Sequence, residues 1–183
     1  MTPKVEVVLK NTVESLFNAI GEERRSPELL AKLERHGLTW PNVPREVPRA
    51  PWNAALRDVA ATLFPGDDAE TAHFKVGRAT MEHLRQTLRG KAQATMARVL
   101  GPLRVLEHFR TTLSTGANFS ETRITREGER AVALWINETG EQNPGFFAGL
   151  LTAAVELTGA QDVQVKLRST STTDGVVYAV TWK

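Results

Sequence analysis

Apolar residues recur along this chain with two periods, and the change of period divides it. Val5, Val7 and Leu9 alternate with Glu6, Val8 and Lys10, which predicts a strand. Val13, Leu16, Phe17 and Ile20 then fall at helical spacing, until Gly21 and the charged run of residues 22–25. Ser26-Pro27-Glu28 predicts a helix start, with Ser26 at the cap and Pro27 at the first position. Leu29, Leu30 and Leu33 form its apolar stripe, and Gly37 closes it. Residues 38–50, with Pro41, Pro44 and Pro48, read as an irregular connector. Leu56, Val59, Ala60 and Leu63 define the next helix, stopped by Phe64-Pro65-Gly66. Asp67 or Asp68 caps a longer one that carries Phe74, Gly77, Met81, Leu84 and Leu88 on one side. Gly90 marks a break. Met96, Val99 and Leu100 belong to a further helix, and another begins after Gly101-Pro102 and ends near Gly116.

Beyond that point the period becomes two. Residues 118–126 and 130–138 predict a hairpin, with Val132, Leu134 and Ile136 on one face and Ala133 and Trp135 on the other. Asn143-Pro144 starts a helix that is apolar almost all round, through Phe146, Phe147, Leu150, Leu151, Ala154, Val155 and Leu157. Such a helix must be covered on every side, by the sheet or at a subunit interface. Gly159 ends it. Val163, Val165 and Leu167 start a strand, and Asp174-Gly175 turns the chain into the last one, Val176 to Trp182. The fold class is α+β: an N-terminal strand and helical layer packed on a C-terminal antiparallel sheet of hairpin, helix and hairpin. Residues 1–183 are expected to form a single domain, helical over about 12–114 and sheet-bearing over about 117–183.

Composition narrows the chemistry. There is no cysteine among the 183 residues, which excludes thiol catalysis, disulfides and thiolate metal sites. No apolar run approaches the roughly 20 residues of a membrane helix, and no signal-like N-terminus is seen, so a cytoplasmic protein without a membrane partner is expected. Net charge is only +2, yet Arg78, Arg85, Arg89, Lys91 and Arg98 lie in a basic stretch over residues 75–110. That stripe is the candidate surface for nucleic acid. A near-neutral chain more simply uses it as a solvated helix face.

Catalytic signatures are absent: there is no phosphate loop, dinucleotide fingerprint, nucleophile elbow or zinc-protease motif. His73 and His83 are ten residues apart on one helix, about 80° apart around its axis. They make a poor metal pair, and no metal site is expected. His108 could in principle ligate haem iron, and a helix-surface histidine is the plainer reading. Asp67 and Asp68 read as capping residues rather than an acid–base pair. Trp40, Trp52, Trp135 and Trp182 should be mostly core. Trp135, Phe146, Phe147, Leu150 and Leu151 are the candidates for a ligand pocket or an interface.

Several motifs in order carry a resemblance. They are Leu33–Gly37 before the proline-rich connector, Trp52 with Leu63-Phe64-Pro65, and Gly77 followed by Thr87. Next come Gly101-Pro102-Leu103-Arg104, Asn118-Phe119, Pro144-Gly145-Phe146-Phe147-Ala148-Gly149 and Tyr178-Ala179-Val180-Thr181-Trp182. Together they resemble a myxobacterial paralogous domain family of unknown function. The C-terminal pattern is also remotely similar to the four-vinyl-reductase and haem-nitric-oxide-binding domains, which act as small-molecule sensors or assembly modules. This chain lacks the cysteines of the first. It also lacks the tyrosine–serine–arginine signature of the second, since its matching strand reads Leu134-Trp135-Ile136-Asn137-Glu138. The resemblance implies a bacterial, non-enzymatic interaction or ligand-sensing module in a regulatory or signalling context. It also implies self-association as a homodimer, a possible protein partner and no resident cofactor. A haem or other small-molecule sensor is the alternative, and nucleic-acid binding through residues 75–110 the further one.

Overall fold

The computed structural model describes residues 5–86, 88–137, 144–171 and 175–183, with the side chains of 84–86, 88–91 and 93 outside that description. The chain runs β1 (Val7–Leu9), α1 (Lys10–Ile20), a 3-10 turn (Glu22–Arg24), α2 (Pro27–Arg35), β2 (Glu46–Pro48) and α3 (Arg49–Leu63). It continues with α4 (Ala69–Gln86), α5 (Leu88–Gly116), β3 (Thr122–Gly128), β4 (Ala131–Ile136), α6 (Pro144–Glu156), β5 (Gln164–Ser171) and β6 (Gly175–Thr181). The α+β class is as the sequence predicts.

Local signals placed most helix ends. The Ser26 side chain accepts a hydrogen bond from the Leu29 N–H, and Pro27 occupies the first position of α2. Asp68, not Asp67, caps α4: its carboxylate accepts from the Thr71 N–H at 2.9 Å and the Thr71 hydroxyl at 2.7 Å. Asp67 instead pairs with Lys75.

Three local expectations differ from the structure. The connector over 38–50 contains β2, which pairs antiparallel with β1 and buries Val47. Gly90 does not break a helix, because α4 ends at Gln86 and α5 runs on from Leu88. One glycine costs a helix only about 1 kcal/mol relative to alanine, which tertiary contacts override. The interruption in α5 comes at Gly101, with φ 75° and ψ 172°, next to Pro102. Trp40 is the third: it is 37% exposed rather than core, stacked on Phe17 at 5.2 Å and covered by the Arg25 guanidinium at 4.2 Å. The cation shields one ring face from water, so the residue tolerates a surface place.

The C-terminal sheet has the strand order β3-β4-β6-β5, antiparallel throughout. The last strand therefore lies between β4 and β5. Its apolar Val176, Tyr178 and Val180 stand opposite Ile136, Leu134 and Val132 of β4, and all six are buried. Charged side chains are confined to the edge strands, as Arg123, Arg126 and Glu127 on β3 and Lys166 and Arg168 on β5. Helices and sheet contribute to one apolar cluster, which includes Phe17, Leu33, Val59, Leu106, Leu134, Leu151 and Tyr178. Asn118 joins its two ends: its Oδ1 accepts from the Val7 N–H, and its Nδ2 donates to the Val5 carbonyl, both at 3.0 Å.

Candidate functional site

Helix α6 lies against α4 across an unusually small gap. A Cβ placed on Gly77 of α4 would come 2.0 Å from the Phe146 carbonyl oxygen. On α6, a Cβ at Gly145 would meet the Glu70 oxygen at 2.3 Å, and one at Gly149 the Phe74 oxygen at 2.1 Å. Glycines at i and i+4 share one helix face, so α6 presents bare backbone to α4 and receives bare backbone from Gly77. At the far end the Arg78 guanidinium grips the Glu156 carboxylate through two hydrogen bonds of 3.0 and 2.8 Å.

This contact fixes where the ends of the two helices stand. The first turns of α4 and α6 converge over β5 and β6, and a cavity of about 330 Å³ opens between them. Its apolar lining comes from Phe74, Ala148, Val165, Leu167 and Tyr178. Register explains the sheet part: Val165 and Leu167 stand opposite Val180 and Tyr178, on the inward face. The Tyr178 hydroxyl donates to the Pro144 carbonyl at 2.8 Å, which ties β6 to the start of α6. Asp68, Glu70 and Thr71 form the polar side, with Pro144 and Gly145 opposite. The Thr71 bonds hold the Asp68 carboxyl below the usual aspartate range, so it stays ionised near neutral pH.

The sequence candidates fall elsewhere. Phe146, Leu150 and Leu151 are buried and belong to the core, while Phe147 is half-buried with its ring edge-on to Phe146 at 5.7 Å. Trp135 lies on the outward sheet face, with Arg123 over its ring at 4.4 Å. None of the five lines the cavity. α6 is the expected element, and its small residues Gly145 and Ala148 form the wall rather than its large ones. Only the three-residue spacing of small side chains after Pro144 hinted at this. Of the basic stripe, Arg78 is neutralised by Glu156 and Glu82, and Arg98 is exposed. The side chains of Arg85, Arg89 and Lys91 lie outside the described residues.

The histidines are dispersed. His36 pairs with Asp58 at 2.8 Å. His108 is exposed on α5, its Nδ1 donating to the Arg104 carbonyl, while Leu106 and Phe109 turn inward. His73 is buried; its Nδ1 donates to the Ala69 carbonyl, and its Nε2 has no partner among the described residues. Burial pushes its pKa below 6.5, with the nearby Arg57 acting in the same direction. An unfolded chain takes up this proton as pH falls through about 6.5, before the folded chain does. Stability should therefore be full above about pH 6.5 and fall below it until the lowered folded pKa is reached. Urea melts at pH 7.5 and 5.5 check this: a His73→Phe variant should lose less stability on acidification than the parent. Equal losses would remove His73 as the cause.

A family model matches residues 6–183, and its description is protein of unknown function DUF2378. The chain belongs to this family. No curated protein matches it. Among solved structures, the chain is similar to an oxygen-binding H-NOX domain related to soluble guanylate cyclases, in its oxygen complex. Identity to that domain is 10% and the TM-score 0.70, over 95% of this chain and 94% of that one. An H-NOX protein from S. oneidensis in the Fe(II)NO state gives 9% identity and a TM-score of 0.68, covering 96% and 99%. The unliganded Fe(II) H-NOX protein from K. algicida gives 7% identity and a TM-score of 0.67, covering 96% of each chain. At such identities the likeness shows a shared fold, and the remote resemblance to haem-nitric-oxide-binding domains read from the C-terminal pattern holds at that level.

Haem does not follow from the fold. No histidine lines the cavity, His108 faces solvent, and His36 is engaged by Asp58. No described histidine is therefore placed to ligate a haem in this cavity, and no haem chemistry is assigned to it.

Proposed function

We infer that this chain is a non-enzymatic, ligand-sensing module of the cell interior whose small-molecule ligand enters the cavity between α4, α6 and the β5–β6 hairpin. The observation that carries the reading is the cavity itself. At about 330 Å³ it reaches the lower range of small-molecule sites, and it combines an apolar floor with a few convergent polar groups. Its position supports a sensing role. A ligand there would touch the first turns of α4 and α6 and the last hairpin at once, and the Tyr178–Pro144 bond already links two of these. The fold shared with H-NOX domains is consistent with small-molecule sensing. No described helix is long and apolar enough to cross a membrane.

The test is a thermal-shift screen of small neutral and charged amphiphiles on the full chain and on Leu167→Arg. Leu167 is 38% exposed, so the arginine should fold in while its side chain crowds the cavity mouth. Hits that stabilise the parent and not the variant are expected. Hits that stabilise both equally would place the ligand elsewhere.

Self-association stays part of the proposal, with a changed location. α6 is enclosed within one chain, whereas Met96, Val99 and Leu100 at 63, 83 and 39% exposure form an apolar patch on α5. Light scattering that returns a strict monomer at high concentration would remove it.

A further inference from the structure

We propose that the cavity selects a cationic amphiphile, a small apolar molecule carrying a primary ammonium group, over its neutral and anionic analogues. This rests on the reading of the cavity as a ligand site and adds the class of ligand. The apolar floor fixes one half of that class, because Phe74, Leu167 and the ring of Tyr178 offer contact and no donors toward a chain or ring.

Charge fixes the other half. The charged side chains in the lining are Asp68 and Glu70, both acidic. Two nearby cations are directed elsewhere: Lys75 is paired with Asp67, and Arg168 with Glu127. Two helix ends also point at the cavity, and each contributes about half a positive charge. Against two carboxylates that leaves about one negative charge facing the ligand.

Two of the helix-terminal donors that an anion would use are taken or missing. An anion at a helix N-terminus is held by free N–H groups. In α4 the Thr71 N–H is already given to Asp68. α6 opens on Pro144, which has no N–H to give. Acceptors, by contrast, are plentiful. The Asp68 oxygens take one bond each from Thr71 and keep a further lone pair each, and Glu70 is exposed in the first turn of α4. An ammonium group brings three donors to such a site.

The experiment is calorimetric titration of the full chain at pH 7 with three probes of equal length: hexylammonium chloride, hexan-1-ol and sodium hexanoate. Hexylammonium should bind about tenfold tighter than hexanol, the worth of one charge-assisted bond, and hexanoate weakest. Glu70→Gln keeps the size of the residue, and it should lower hexylammonium affinity severalfold more than it changes that of hexanol. Asp68 is spared because it caps α4. Equal binding of hexylammonium and hexanol, or preference for hexanoate, overturns the charge inference and leaves the cavity reading standing. If no probe binds to either protein, the cavity reading fails with it.

Discussion

Gly149→Ala should destabilise the protein by about 2–3 kcal/mol, although alanine is the better helix former. At an ordinary helix position the exchange gains about 1 kcal/mol. Here the new methyl would stand 2.1 Å from the Phe74 oxygen and 2.9 Å from the Arg78 nitrogen, and both are backbone atoms. Carbon and carbonyl oxygen approach to about 3.3–3.6 Å even in favourable contacts, so the two helices must part by about 1 Å. Rigid close-packed interiors resist such a shift, and the Arg78–Glu156 clamp would have to follow it. The sign of the effect is the test. Urea denaturation should show a lower midpoint at an unchanged slope. A midpoint at or above that of the parent would mean that α4 and α6 do not meet through bare backbone. Valine at the same place should prevent folding into this arrangement.

Leu151→Ala should cost about 2–5 kcal/mol and leave the oligomeric state unchanged. Leu151 has no exposed surface and sits in the cluster shared by helices and sheet. Truncation removes apolar contacts and leaves a void that neighbours on a glycine-locked helix can fill only partly. The two readouts separate the alternatives left open by the all-round apolar pattern of α6. A side chain at a subunit interface would change assembly with concentration, whereas a core side chain changes unfolding alone. Light scattering that differs between parent and variant, with equal urea midpoints, would return α6 to an interface.

The recurring motifs take on concrete structural roles. Gly77, Gly145 and Gly149 are contact points where two backbones meet. Asn118 splints β1 to the end of α5, and Tyr178 anchors α6. Trp52 is buried. These are requirements of the fold, which explains why their order was informative about family and silent about chemistry. The cavity was less legible. Asp68 read as a cap, which it is, and its second place at the cavity edge depends on a helix about 75 residues later in the chain. Phe146 and Leu151 drew attention because they are large and apolar, but large apolar residues next to glycines are those the core takes first.

The sequence by itself determined the change from helical to two-residue period, the cap of α2, the choice of Asp67 or Asp68 for α4, the two hairpins and the largely apolar α6, because these depend on neighbours a few positions apart. Tertiary structure alone decided that β6 inserts between β4 and β5, that β1 finds a partner in a proline-rich connector, and that α6 is covered by α4. It also decided that the two helix ends meet over the sheet to leave a cavity. Those outcomes rest on contacts between residues tens of positions apart. Their geometry follows from which surfaces can approach closely, and at α4 and α6 that is set by three glycines with no side chain at all.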